Sequence, residues 1–227
     1  MYFSQRWFED LAKFNFDNFK KNFDGRPINY LEIGCYEGNC HLYMYENILT
    51  HPDSKSTVIE PWGGGTGSST HNDASHIFLH NLTNYLYKIQ ICRGLSNDYL
   101  PKLIKNSYDI IYIDGDHASL QTYTDGMLSW DLLKKNGILI FDDYIWHRFR
   151  IIEPHIPPGY AIGEDMSPAK GINQFLLEKQ GQYELFGQKE GFDKECKIID
   201  LNLINDINTV PNLNDYNRQI WIRKTVD

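Results

Sequence analysis

Apolar residues fall along this chain in two textures. Short runs of β-branched and aromatic residues, the signature of strands, occur at Asn29–Gly34, Ser56–Glu60, Ile89–Arg93, Asp109–Asp114, Gly137–Asp142 and Gln219–Lys224. The longer stretches between them are amphipathic and predict helices over Cys40–Asn47, Asn72–Tyr85, Asn97–Lys105, His117–Lys134 and Ala169–Gln180. Asn136-Gly137 reads as the stop of the fourth helix, and Pro168 precedes the fifth. Strands alternating with helices are the βαβ pattern of a mostly parallel sheet covered on both faces. Pro154, Pro157, Pro158, Gly159, Gly163 and Pro168 crowd the stretch Tyr144–Lys170, which predicts a loop or lid directly after the fifth strand. Asn202–Asn217, rich in Asn and Asp around Pro211, predicts a long turn between two late strands. No internal repeat is evident.

Length and composition narrow the class. With 227 residues the expectation is one α/β domain over 1–227, with a helical amino-terminal segment over 1–27 and a lid over 145–170. Apolar residues at 41% and charged residues at 23% disfavour disorder, collagen and coiled coil. The net charge of −8 argues against nucleic acid as a partner. The apolar stretches fall far short of the ~20 residues that span a bilayer, so no membrane association is expected. Met1–Lys13 carries Arg6, Glu9 and Asp10 and lacks the pattern of a signal peptide, so the expected location is cytoplasmic. Cys35, Cys40, Cys92 and Cys196 form no Cys-x-x-Cys pair and predict free thiols.

Open parallel sheets bind ligands beyond the carboxyl ends of their strands, so the residues just after each run carry the chemistry. Glu32-Ile33-Gly34-Cys35-Tyr36-Glu37-Gly38 ends the first strand with two glycines before a helix, which lets backbone approach a ligand. It is not Gly-x-Gly-x-x-Gly, since Tyr36 and Cys40 stand where a dehydrogenase needs room for a pyrophosphate. Glu60 ends the second strand 22 residues after Gly38, near the ~20 at which an acid commonly meets a ribose diol. After the third strand, Ser96 could meet a base edge or simply cap a helix.

Asp114-Gly115-Asp116-His117 ends the fourth strand, and Asp142-Asp143-Tyr144 ends the fifth. Neighbouring strands lie roughly 4.8 Å apart, so Asp114 and Asp142/Asp143 would crowd carboxylates at one sheet edge. A hard divalent cation would offset their repulsion, whereas helix-capping aspartates are the plain alternative. Other features carry less. Gly63–Ser69 lacks the Lys-Ser/Thr ending of a phosphate loop, and His76 and His80 have no third metal ligand nearby in sequence. The aromatic start, including Trp7, Phe8, Phe16 and Phe19, predicts a helix packed on the sheet rather than a base-stacking platform.

Taken together, these residues resemble the class I S-adenosylmethionine-dependent methyltransferases, and within them the metal-dependent O-methyltransferases. Glu32-x-Gly34-x-Tyr36-x-Gly38 is similar to the cofactor loop of catechol-type members, including its Tyr. Glu60 is similar to the acid that holds the ribose hydroxyls, Ser96 to the residue that approaches the adenine, and Asp114 with Asp142 and Asp143 to a three-ligand magnesium site. Catechol-type members usually end that triad in Asp-Asn. The Asp142-Asp143 pair, with Asp-Gly-Asp-His and the phrase Leu132–Tyr144, instead resembles the macrocin-type branch, which methylates sugar hydroxyls. The resemblance implies a Rossmann-like seven-stranded sheet of order 3-2-1-4-5-7-6 with only the last strand antiparallel. A seventh strand is then expected within Tyr183–Gly187 or Cys196–Asp200.

It also implies S-adenosylmethionine held by Glu32, Gly34, Tyr36, Gly38, Glu60, Ser96 and Asp114, with Mg2+ or another divalent cation beside it. His117 stands where catechol-type members carry a Lys base, and a neutral imidazole suits proton acceptance near pH 7. Asp116 is the competing base, or the residue that orients His117. The implied partner is a small-molecule or glycan acceptor, and a homo-oligomer is compatible with the sequence. The runner-up acceptor is a catechol-type small molecule. More remote readings are a nicotinamide-dependent oxidoreductase and a non-catalytic binding protein.

Overall fold

A computed structural model describes residues 2–23, 25–63, 73–144, 168–186 and 219–227. Seven strands form one sheet: β1 Asn29–Ile33, β2 Lys55–Glu60, β3 Ile89–Arg93, β4 Tyr108–Ile113, β5 Leu133–Phe141, β6 Tyr183–Leu185 and β7 Ile220–Lys224. Their order is β3-β2-β1-β4-β5-β7-β6. Strands β1 to β5 pair in parallel, while β7 runs antiparallel to both β5 and β6. The central strands carry near-continuous apolar runs because both faces are covered, and every residue of β4 is buried. The seventh strand lies in the first of its two expected places; Cys196–Asp200 and the turn Asn202–Asn217 fall outside the described residues.

The helices are α1 Lys13–Phe19, α2 Asn39–Asn47, α3 Ser75–Asn81, α4 Ser96–Tyr99, α5 Ser119–Leu132 and α6 Pro168–Glu178. Three are shorter than their sequence patterns suggest. The run over Asn97–Lys105 breaks at Pro101, so α4 gives way to a 3-10 turn at Leu100–Lys102. The run to Tyr85 ends as α3 at Asn81, followed by turns. The expected helix His117–Lys134 begins at Ser119 and stops at Leu132, four residues before the Asn136-Gly137 signal. Leu133 already pairs with Tyr108 in the sheet, and Asn136, at φ 65°, belongs to the irregular stretch where the β4/β5 register shifts.

Two apolar layers flank the sheet. One packs α2, α3 and the amino-terminal aromatics against one face, and the other packs α5 and α6 against the opposite face. Residues Phe8–Ala12 form an irregular π-type turn leading into α1. Phe16 and Phe19 from α1 lie against Trp221 of β7, with ring centroids 4.9 and 4.7 Å away. Burial of side chains this size contributes about 1.5–3 kcal/mol each. The same segment grips the first βα turn from above. Ser4 donates its backbone N–H (2.7 Å) and hydroxyl to Glu37, Asn39 donates to Glu9 (2.6 Å), and Tyr2 exchanges two hydrogen bonds with the Asn81 amide. Trp7 rests on Tyr36 with centroids 5.8 Å apart.

Candidate active site

The turn after β1 is shaped by three residues with positive φ: Gly34 (82°), Tyr36 (44°) and Gly38 (82°). Glycine at 34 is dictated by packing as well as by φ. A Cβ there would lie 1.9 Å from the carbonyl oxygen of Asp114. The β1 turn and the end of β4 therefore touch backbone to backbone, and Asp114 N–H donates to the Ile33 carbonyl at 2.8 Å. Gly38 is likewise required, since a Cβ would press on the Phe78 ring at 2.7 Å.

Glu60 closes this turn from the neighbouring strand. Its Oε2 accepts the backbone N–H groups of Cys35 (3.0 Å) and Tyr36 (3.1 Å), and its Oε1 accepts that of Trp62 (3.1 Å). A carboxylate has about four acceptor positions, so it can hold the turn and still receive a ligand hydroxyl. Trp62 Nε1 donates to the Tyr36 carbonyl at 2.7 Å, securing the turn from the other side. Glu32 is placed differently. It is buried, and its Oε2 is engaged by the Tyr30 hydroxyl (2.9 Å) and by His41 Nδ1 (2.7 Å), while His41 Nε2 reaches Ser56 Oγ at 2.7 Å.

The second half of the site gathers carboxylates at the ends of β4 and β5. One ligand atom from each of Asp114, His117 and Asp143 lies within 4.8 Å of the others. His117 Nε2 sits 2.7 Å from Asp143 Oδ2. Asp142 is tied to Asp114 through the Tyr112 hydroxyl, which lies within hydrogen-bond reach of both carboxylates, 3.3 Å from Asp114 Oδ2. Its Oδ2 takes the Tyr112 hydroxyl and Gln219 Nε2 (3.0 Å), and its Oδ1 takes the Asp143 backbone N–H (2.7 Å). Gln219 is itself held by Asn15 Nδ2 (2.8 Å) and Trp221 Nε1 (3.0 Å) on its carbonyl oxygen, which aims its NH2 at Asp142. Burial, followed by Asp142, Asp143 and Glu32, holds the Asp114 carboxyl well above the usual carboxylate range. Burial and Asp143 push Asp142 up to about 6. A cluster of like charges this costly is what a cation would relieve, and its oxygen and imidazole donors suit a divalent metal.

Other expected residues are placed as follows. Asp116 is exposed, and its Oδ1 accepts the Ala118 N–H at 2.9 Å at the start of α5. Ser96 does not cap α4, whose preceding residue Leu95 makes no side-chain capping bond. Its hydroxyl instead accepts from Gln121 Nε2 (3.1 Å) and supports the buried Asp125. Tyr144 is buried and donates to Asn173 (2.9 Å), so its ring is not an open face for an acceptor. Of the lid expected over 145–170, residues 145–167 lie outside the described residues, and Pro168–Lys170 belong to the start of α6. The residues missed by sequence reasoning are His41, Tyr112, Gln219 and Gln121. Tyr112 sits within the apolar run of β4 and Gln219 directly before that of β7, signals visible but ambiguous in sequence, whereas His41 and Gln121 stand among other polar residues of their helices.

The sequence model of a family described as a methyltransferase domain matches residues 31–144, the span from β1 to the end of the acidic cluster. An uncharacterized protein of Acanthamoeba polyphaga mimivirus is 28% identical over 149 residues, 63% of this chain and 62% of its own length. An O-methyltransferase of Aspergillus hancockii is 29% identical over 125 residues, 55% of this chain and 46% of its own length. The chain thus spans about half to three fifths of these curated relatives. Among solved structures, a Podospora anserina methyltransferase with S-adenosylhomocysteine bound superposes with a TM-score of 0.55 at 17% identity, covering 93% of this chain and 77% of that one. That likeness establishes the Rossmann-like methyltransferase fold.

Proposed function

This chain belongs to the methyltransferase-domain family, and from that premise we propose that it is an S-adenosylmethionine-dependent, divalent-metal-assisted O-methyltransferase acting on a hydroxyl of a sugar or glycan. One observation carries the reading. The Gly34 turn, gripped by Glu60, and the Asp114/His117/Asp143 cluster are joined by direct backbone contact, so a donor on one and an acceptor on the other are neighbours. When bound, S-adenosylmethionine would supply an electrophilic methyl group, and Mg2+ or a similar cation would supply Lewis-acid polarisation of the acceptor oxygen.

The chain's own residues do the rest. Glu60 receives a ribose hydroxyl on its remaining acceptor position while fixing the turn formed by Gly34, Tyr36 and Gly38. Asp114, Asp142 and Asp143 are the carboxylates at the metal position, Asp114 and Asp143 facing each other and Asp142 tied to Tyr112 and Gln219. His117 takes the acceptor proton. An ionised Asp143 can only accept, so the Nε2–H of His117 points to it and the basic lone pair resides on Nδ1. Glu32, tied to Tyr30 and His41, and Ser96, tied to Gln121, stand behind the cofactor turn as supporting residues.

A second reading of His117 is favoured by its grouping with Asp114 and Asp143: it is a third metal donor, and Asp116 then takes the proton. The sugar acceptor rests on the resemblance to the macrocin-type branch, with a catechol-type acceptor as runner-up. The test is release of S-adenosylhomocysteine by the purified chain with Mg2+ against nucleotide sugars, glycans and catechols. Turnover confined to catechols would overturn the sugar assignment.

A further inference from the structure

The opposite edge of the sheet, where β1 to β4 begin, carries a concavity of about 600 Å3. Lys55, at the start of β2, lies about 17 Å along the strand from Glu60 at its end, so this hollow is separate from the site above. Thirteen residues line it, and their charges are unlike those of the chain as a whole. Three are lysines (Lys55, Lys88 and Lys102) and none is acidic, in a protein with eight more acids than bases.

Among the described residues no carboxylate pairs with any of the three lining lysines, so nothing acidic on the protein neutralises the hollow. Lys88 donates only to the His51 backbone carbonyl (3.5 Å), and its ammonium also lies 5.7 Å from the Tyr87 ring centroid. The Lys102 ammonium lies 5.5 Å from the Tyr99 ring centroid, and three lysines with no acid around one hollow give it a positive field that favours an anion. Two of the large apolar side chains in the lining stand out by their exposure. Tyr87 is 80% exposed and Ile104 77% exposed, far beyond their type's usual burial.

We propose that this hollow is a second binding site, for a small organic phosphate that carries an aromatic ring. The phosphate, with up to two charges at neutral pH, lies among Lys55, Lys88 and Lys102, and the ring lies on Tyr87 and Ile104. Phosphate suits this site better than carboxylate because one group can engage several ammonium donors at once.

The test is calorimetric titration of the full chain in metal-free buffer with phenyl phosphate and, separately, inorganic phosphate. Phenyl phosphate contains no adenosine, so it does not imitate the methyl donor. Expected results are saturable phenyl phosphate binding that weakens with added salt, tighter than inorganic phosphate, and unchanged by saturating S-adenosylhomocysteine. Lys88→Glu and Lys55→Glu should each weaken it at least tenfold while the melting temperature stays near that of the parent, and Tyr87→Ala should remove the preference over inorganic phosphate. No binding, equal binding in both Lys→Glu variants, or displacement by S-adenosylhomocysteine would overturn the site. Equal affinity for the two phosphates would overturn the aromatic part.

Discussion

Replacing Glu60 with Gln tests the cofactor half of the site with the least disturbance of shape. The parent carboxylate serves three backbone donors, two on Oε2 and one on Oε1. Glutamine keeps one acceptor oxygen, so it can satisfy either the Cys35/Tyr36 pair or Trp62, and its NH2 must face an N–H on the other side. The amide will serve the pair and abandon Trp62. Losing one hydrogen bond to a charged group costs about 1.5–3 kcal/mol, and partial exposure of Glu60 lets water recover some of that. A stability loss of about 1–2 kcal/mol is expected, read as a lower melting temperature. The cofactor should suffer more, because a ribose hydroxyl loses the charged partner in an enclosed turn. At 1.4 kcal/mol per tenfold, the same 1.5–3 kcal/mol is roughly a ten- to hundredfold weaker Kd for S-adenosylhomocysteine by calorimetry. Glu60→Asp retains the charge but withdraws it by one methylene, and should fall between parent and Glu60→Gln. An affinity within twofold of the parent in a well-folded Glu60→Gln protein would refute the assignment of Glu60 to the ribose.

Gly34→Ala should be far more damaging to the fold: a Cβ 1.9 Å from the Asp114 carbonyl and a φ of 82° together cost more than about 3 kcal/mol, and melting only a few degrees below the parent would contradict the packing. Asp125, whose carboxyl burial pushes up to about 6, contributes stability that is complete below the ~3.9 of an unfolded carboxyl and is lost as pH rises through about 6. Asp125→Asn should therefore gain on the parent by about 2–3 kcal/mol between about pH 4 and pH 7.5, and a pH-independent difference in denaturant unfolding would refute it. Exhaustive chelation should abolish turnover while sparing S-adenosylhomocysteine binding; full activity would end the metal reading. If His117→Asn abolishes calorimetric Mn2+ binding, His117 is a ligand and Asp116 the base, whereas preserved metal affinity with reduced kcat keeps His117 as the base.

Much of the sheet was legible because its central strands are buried on both faces and written as apolar runs, as at Ile110–Ile113. The acids at the strand ends were legible for the complementary reason: Glu60, Asp114, Asp142 and Asp143 interrupt apolar runs where a parallel sheet presents its ligand edge. The orientation of those acids was not. The hold on Asp142 comes from Gln219, 77 residues downstream, and through it from Asn15, a relation no local pattern encodes. Helix ends were misplaced where tertiary pairing overrode local chemistry, as when Leu133 joined Tyr108 ahead of the Asn136-Gly137 stop signal. Ser96 looked like a cap or a base contact because a hydroxyl before a helix suits both, and its true partner, Gln121, lies on a different helix.

The packing of α1 on the last strand also orders events during synthesis. Phe16, Phe19 and Asn15 find their partners in Gln219 and Trp221, some two hundred residues later in the chain. A ribosome adding about 5–20 residues each second leaves that segment, already able to meet Tyr43 and Tyr112, without its β7 partners for roughly ten seconds or more. Nearly all of the parallel sheet can emerge in that interval, so α1 completes its packing late. Until β7 arrives, the face of α1 that meets Trp221 stays open to chaperones and to aggregation.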